Sequence, residues 1–163
     1  MKIILNWPAD QQSGSARFVL KANGPPSGAV GRDPDAVRLL LDTTVLIDVL
    51  RSRKARRELL DRLAEEGHQL TTTALNVVEV YMGIRPGEEQ ETDLLFSSLG
   101  CYELDAYSAK GAGLLKNAWA RKGKTISLQD AIVAAIAIER DCALMTDNRK
   151  DFPMPELKLY PLP

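Results

Sequence analysis

Several oxygen-bearing side chains stand where a residue chosen only for structure would be awkward: Asp42, Glu79, Asp130 and the neighbours Asp147 and Asn148. Asp42 directly follows Leu39-Leu40-Leu41, the pattern of a buried strand, which puts it at that strand's carboxyl end. Helix N-capping is the ordinary alternative, because an aspartate there accepts a backbone N–H. Glu79 shares a stripe with Leu75 and Met82 at helical spacing, and a desolvated carboxylate needs a cation, a metal or a proton. Arg85 is the cation nearest in sequence and could answer that need. Asp130 closes Ser127-Leu128-Gln129-Asp130, a capping box, at the head of an apolar helix whose dipole favours negative charge. Asp147 and Asn148 follow another apolar run, Ala143 to Met145, where turn chemistry is the alternative. Asp48, inside the first helix, reads equally as a solvated acid or as support behind a ligand.

Each acid alone is weak evidence. Together they map to one edge of one sheet, where mutual repulsion is destabilising unless cations occupy the middle. Hard oxygen ligands without histidine or cysteine select Mg²⁺ or Mn²⁺ rather than zinc. Mg²⁺ keeps several waters and takes one or two carboxylates, which leaves room for a phosphate oxygen and an activated water. This is the outline of a site that cleaves phosphodiesters.

Composition narrows the classes further. In 163 residues there are 21 basic and 22 acidic side chains, so no global field advertises nucleic acid or an anionic membrane. The single histidine, His68, argues against two-histidine nucleases and most triad chemistry. Cys101 and Cys142 form neither a CxxC knuckle nor a disulfide framework, and read as small buried hydrophobes in a reducing compartment. The longest wholly apolar run, Ala131 to Ile138, falls well short of the roughly 20 residues of a bilayer span, and the opening residues are too polar for a secretory signal. A cytoplasmic protein without a membrane segment is expected.

The elements that must position these acids can be read from periodicity. Residues 1–37 are rich in glycine, proline and serine and are expected to be a flexible arm; residues 38–163 are expected to be the folded domain. The apolar run at Leu39–Leu41 predicts a strand, and Thr43 to Leu50 a helix. Further helices are predicted from Ala55 to Glu66, stopped by Gly67, and over Leu75–Ile84, Leu94–Leu99, Ala106–Arg121 and Ser127–Arg140. Short strands are predicted at Gln69–Thr71, Cys101–Leu104, Ala143–Met145 and, at an edge, Leu157–Tyr160. Strands alternating with helices argue a three-layer α/β/α domain on a mostly parallel sheet, in which ligands bind outside the carboxyl ends of the strands.

Four blocks now stand in register: LLLDTTVLID from Leu39 to Asp48, NVVEVYMG from Asn76 to Gly83, ISLQDAIVAAIA from Ile126 to Ala137, and LMTDNRKDF from Leu144 to Phe152. In order and spacing they closely resemble the PIN-domain ribonucleases of the VapC toxin type. The resemblance implies an endoribonuclease that uses Mg²⁺ or Mn²⁺, works as a homodimer and is held inactive by a small antitoxin protein. It makes Asp42, Glu79 and Asp130 the first three acids, with Asp42 and Asp130 as metal ligands. At the fourth place the family pattern of threonine, any residue, then Asn or Asp aligns Asn148 rather than Asp147. Thr44, where the family commonly has Asn or Ser, keeps a hydroxyl, and Thr44, Asp48 and Thr146 would stand behind the ligands. The arm has no counterpart in the family.

Two basic groups flank the acids: Arg51, Arg53, Lys54, Arg56 and Arg57 after the first helix, and Arg121, Lys122 and Lys124 before Asp130. Steering of RNA phosphates is one reading and simple solvation of helix faces the other. Two rival functions remain open at this level. A PIN fold could hold RNA or protein without cutting, although the intact acids weigh against that. Phosphotransfer on Asp42 suffers because Asp42-Thr43-Thr44 lacks a second acid two residues on.

Overall fold

The computed structural model describes residues 36–163, so the proposed arm lies outside the described residues apart from Ala36 and Val37. In chain order the elements are β1 (Arg38–Leu41), α1 (Thr43–Leu50), α2 (Arg56–Glu65), β2 (Gln69–Thr73), α3 (Ala74–Met82), α4 (Glu89–Ser97), β3 (Gly100–Tyr102), α5 (Ala106–Arg121), α6 (Leu128–Glu139), β4 (Ala143–Met145) and β5 (Lys158–Leu159), with a 3₁₀ turn at Arg149–Asp151. The strands run β3-β2-β1-β4-β5 and every neighbouring pair is parallel.

A parallel sheet covered on both faces needs strands that are apolar throughout, because alternate side chains enter two different cores. Leu39 and Leu41 of β1 and Ala143 and Met145 of β4 point into a core with Val45, Leu46 and Leu60. Leu40 and Leu144 point the other way, against α6, whose residues Ala131 to Ala137 are all buried. That explains why α6 is apolar all round. Gly67 ends α2 as the spacing predicts: at φ +88° it lets the Gly67 and His68 amides bond back to Ala64 and Leu63, a Schellman stop. The lone histidine is structural, its Nδ1 accepting the Val37 N–H at 3.1 Å.

Two expectations need correction. Cys142 is buried, but Cys101 is exposed, because β3 is an edge strand and its central side chain faces away from the core. On α3 the buried pair is Asn76 and Val80; Leu75 packs partly on the core but Met82 is 82% exposed, so the stripe through Glu79 is covered at one end only.

The order of the strands fixes where chemistry can sit. Connections leave β1 for β2 on one side, while β4 returns on the other, so the crevice beyond the carboxyl ends of β1 and β4 is the switch point of the sheet. Asp42 follows β1, Thr146 follows β4, and the Asp42 amide bonds Met145 O at 3.0 Å, joining the two strand ends.

Candidate active site

Asp42 has both of the roles weighed for it. As N-cap of α1 it accepts the Thr43 N–H on Oδ1 at 2.8 Å. Its Oδ2 accepts the hydroxyls of Thr146 at 2.6 Å and Thr44 at 3.1 Å, and the Asn76 amide approaches Oδ1 at 3.4 Å. Burial pushes this carboxyl up from its ordinary value; the bonds from Thr146, the Thr43 amide and Thr44 pull it down, and the negative charge of Asp130 pushes it up again. The net displacement is upward. A neighbouring carboxylate and a dry setting both disfavour the ionised form, and a bound cation would reverse both effects.

Glu79 enters from α3. Its Oε2 accepts the Thr43 hydroxyl at 2.5 Å, and no Glu79–Arg85 ion pair occurs among the described residues; the Arg85 amide bonds Glu88 instead. Thr43 is aligned from behind by Asn76, whose Nδ2 donates to the Thr43 hydroxyl at 2.9 Å. Asn76 is completely buried, and its Oδ1 accepts from Thr73 Oγ1 at 2.5 Å. Thr43 and Asn76 are site residues that reasoning from single acids passed over. The signal was there: Asn76 stands three residues before Glu79, hence on the same helix face.

Asp130 sits at the head of α6, half-buried. Its amide bonds Ser127 Oγ at 2.9 Å, and the Ser127 hydroxyl in turn donates to Asp130 Oδ2. The capping box is therefore closed through the serine hydroxyl rather than the serine amide, and one side of the carboxylate is taken up by the cap. The helix still brings Asp130 near enough for its charge to act on Asp42.

The fourth position divides three ways. Thr146 is buried and touches Asp42 directly, while its Oγ1 also accepts the Asn148 N–H at 3.0 Å. Asn148 turns its amide to Asp151. Asp147 turns away from the acids, with Oδ2 on Lys54 Nζ at 2.8 Å and Oδ1 on Arg56 Nη2 at 2.9 Å. Burial alone would raise its carboxyl, but Lys54 and Arg56 together hold it below the ordinary value. Asp48 does not reach Asp42; it is buried and lies 3.0 Å from Lys54 Nζ.

Among the expected basic residues, Arg51 and Arg53 sit in the turn after α1. Arg57 bonds Glu91 at 2.9 Å. Arg121 ends α5, Lys122 lies over the Trp119 ring at 4.5 Å, and Lys124 reaches Lys150 O at 3.2 Å. Arg56, expected on a surface, is buried. No group of three His, Cys, Asp or Glu side chains stands as a ready-made metal cage among the described residues. No helix among them is long and apolar enough to cross a membrane.

The geometry can be set beside known proteins. The PIN domain family model matches residues 39–154. Ribonuclease VapC19 of Mycobacterium tuberculosis is 31% identical over 120 residues, covering 73% of this chain and 96% of that protein. Ribonuclease VapC10 of the same organism is 31% identical over 116 residues, covering 71% and 86%. In three dimensions the chain is similar to VapBC2 from Rickettsia felis bound to a DNA fragment from its promoter, with a TM-score of 0.67 at 23% identity, covering 76% of this chain and 98% of that one. It is also similar to a toxin–antitoxin complex from Klebsiella pneumoniae, with a TM-score of 0.62 at 26% identity, covering 76% and 99%. With its acids at the switch point of a five-stranded parallel sheet, and with a match running nearly the full length of VapC19, the chain belongs to the PIN-domain family, among the VapC ribonucleases.

Proposed function

We propose that the chain is an Mg²⁺- or Mn²⁺-dependent endoribonuclease acting as the toxin of a toxin–antitoxin pair. The observation that carries the metal reading is the Asp42–Asp130 relationship: Asp42 at the switch point is pushed toward its neutral form chiefly by its burial, and the nearby charge of Asp130 adds to the same displacement. Such a donor set fits a hard, water-rich cation that needs only one or two carboxylates, and it lacks the imidazole and thiolate that zinc prefers. Asp42 and Asp130 would hold the ion, and Glu79 would complete its surroundings from the Thr43 side. When bound, the ion would neutralise charge on the attacked phosphate and make a water more acidic.

The chain's own residues do the positioning. Thr146 and Thr44 fix the Asp42 carboxylate by hydrogen bonds, Thr43 fixes Glu79, and the Ser127 cap fixes Asp130 at the head of α6. A homodimer and a small antitoxin are the proposed partners. Uncovered apolar side chains support that reading: Val78 and Met82 on α3, Tyr107 and Leu114 on α5.

Inducible expression with mapping of RNA 5′ ends, alone and beside any small protein found encoded next to it, tests the proposal. New 5′ ends should appear on induction, vanish with Asp42→Asn and be suppressed by the partner. Purified protein should stop cutting in EDTA and resume with Mn²⁺. Cleavage that persists in EDTA would overturn the metal reading, and harmless overproduction the toxin reading.

A further inference from the structure

The turn between α1 and α2 holds a guanidinium that the proposed reaction does not use. Arg56 opens α2 with its side chain wholly buried, and Nη2 lies 2.9 Å from Asp147 Oδ1. Its Nε and Nη1 have no hydrogen-bond partner among the described residues. Burying a cation is costly unless it is paired and its N–H groups are satisfied, so this guanidinium carries unspent donor capacity. Lys54, half exposed, closes on the other oxygen of the same carboxylate at 2.8 Å.

Asp147 is thus a two-oxygen anion held between two cations, one oxygen on each. Arginine and lysine grip a phosphate in the same manner. The carboxylate side chain is 31% exposed, so its place opens to solvent. The backbone builds the arrangement at some strain: Ser52, Lys54 and Ala55 have φ of 49°, 53° and 47°, the left-handed region that non-glycine residues seldom adopt. The place is also next to the acids, because Asp147 directly follows Thr146, which bonds Asp42.

We propose that Lys54 and Arg56 form a binding site for a backbone phosphate of the RNA substrate, in which the Asp147 carboxylate occupies the phosphate's place until RNA displaces it. The identity of the anion rests on the ribonuclease reading; the paired cations do not. Asp147 then acts as a gate, and its removal strengthens RNA binding, the opposite of what loss of a metal ligand would do to the reaction.

The test compares the full-length protein with Asp147→Ala, Asp147→Asn, Lys54→Ala and the double variant Lys54→Ala/Asp147→Ala. Binding of a short single-stranded RNA is measured by fluorescence anisotropy in EDTA across a salt series. Asp147→Ala should bind several-fold more tightly, and its log affinity should fall more steeply with log salt by about 0.7, the share of one phosphate on a single strand. Adding Lys54→Ala should cancel that gain, whereas Lys54→Ala alone should change little, because Asp48 and Asp147 already hold the amine. Independent, additive effects of the two substitutions, or weaker binding by Asp147→Ala, would overturn the site.

Asp147→Asn, which keeps an acceptor for Arg56, guards against misfolding of the alanine variant. At constant ionic strength, inorganic phosphate should raise its melting temperature more than that of the wild type, and equal shifts would overturn the proposal. A phosphate effect without any gain for RNA would overturn it in favour of a free anion. No readout requires cleavage: a protein that shows the gain but never cuts RNA loses the ribonuclease reading alone, and one that cuts RNA without the gain loses the site alone.

Discussion

The Thr43 hydroxyl donates to Glu79 Oε2 across a separation of 36 residues, tying the first turn of α1 to α3. The same oxygen accepts the buried Asn76 amide, so one hydroxyl aligns an acid and satisfies a core polar group. Thr43→Val keeps the shape and removes both bonds. Asn76 Nδ2 is then left with its 3.4 Å approach to Asp42. An unsatisfied buried polar group costs about 1–3 kcal/mol, and a loss of that size is expected in urea unfolding, together with a fall in RNA cleavage. Thr43→Ser should restore most of both. Wild-type stability and activity in Thr43→Val would show that the contact positions nothing.

Thr146 is the residue of the last block that touches Asp42, which bears on the fourth position of the site. Removing a hydrogen-bond partner from a metal-ligating group lowers metal affinity or activity by roughly 10–100-fold. Thr146→Val is therefore expected to weaken Mn²⁺ binding in isothermal titration by that order, with Thr146→Ser close to wild type. Asn148→Ala should lower cleavage more than Asp147→Ala, because the Asn148 side chain, through its bond to Asp151, holds the turn whose backbone N–H bonds Thr146, while the Asp147 carboxylate is directed to Lys54 and Arg56. If Asp147→Ala proves the more damaging in the same assay, the carboxylate must leave its cations to join the acids.

The sequence made the scaffold legible because its signals were local. Three leucines, a polar cap and a helical repeat place β1, Asp42 and α1 without any tertiary knowledge, and Ser127 with Asp130 does the same for α6. The parallel sheet followed from alternation of strands and helices; its strand order, β3-β2-β1-β4-β5, did not. The partners of the acids were not legible in this way. Sequence proximity sets Glu79 against Arg85, six places on, whereas its partner is Thr43, brought close only when β1 and β2 pair. Asp147 and Arg56 are likewise 91 residues apart, and a cluster of basic residues gives no sign of which one is buried. Periodicity reports faces; it does not report which faces meet.

The arm proposal yields a prediction of its own. β1 needs nothing before Val37 for its described bonds: the Val37 carbonyl accepts from Gln69 and its amide donates to His68. Every proposed ligand lies beyond residue 41. Removing residues 2–35 should therefore leave thermal stability and RNA cleavage near those of the full chain, measured side by side. An insoluble or inactive truncation would show that the segment is part of the domain.

Asp42 links stability to chemistry, and the direction of the effect follows from its raised carboxyl. A carboxyl whose pKa rises on folding favours the folded state only when protonated. Its contribution is present below the unfolded value and lost as pH rises through the folded one. At neutral pH the ionised side chain therefore destabilises the metal-free protein. Asp42→Asn removes that charge while keeping an oxygen for the Thr43 amide, and the hydroxyls of Thr44 and Thr146 can turn to accept from the new amide. In EDTA at neutral pH the variant should melt higher than the wild type, and the gap should close as pH falls into the ordinary carboxylate range. Mg²⁺ or Mn²⁺ should raise the wild type toward the variant and leave the variant unmoved, and the variant should not cut RNA. A variant less stable than the wild type in EDTA would mean that hydrogen bonding to the carboxylate outweighs its burial, and an active one would remove Asp42 from the metal site.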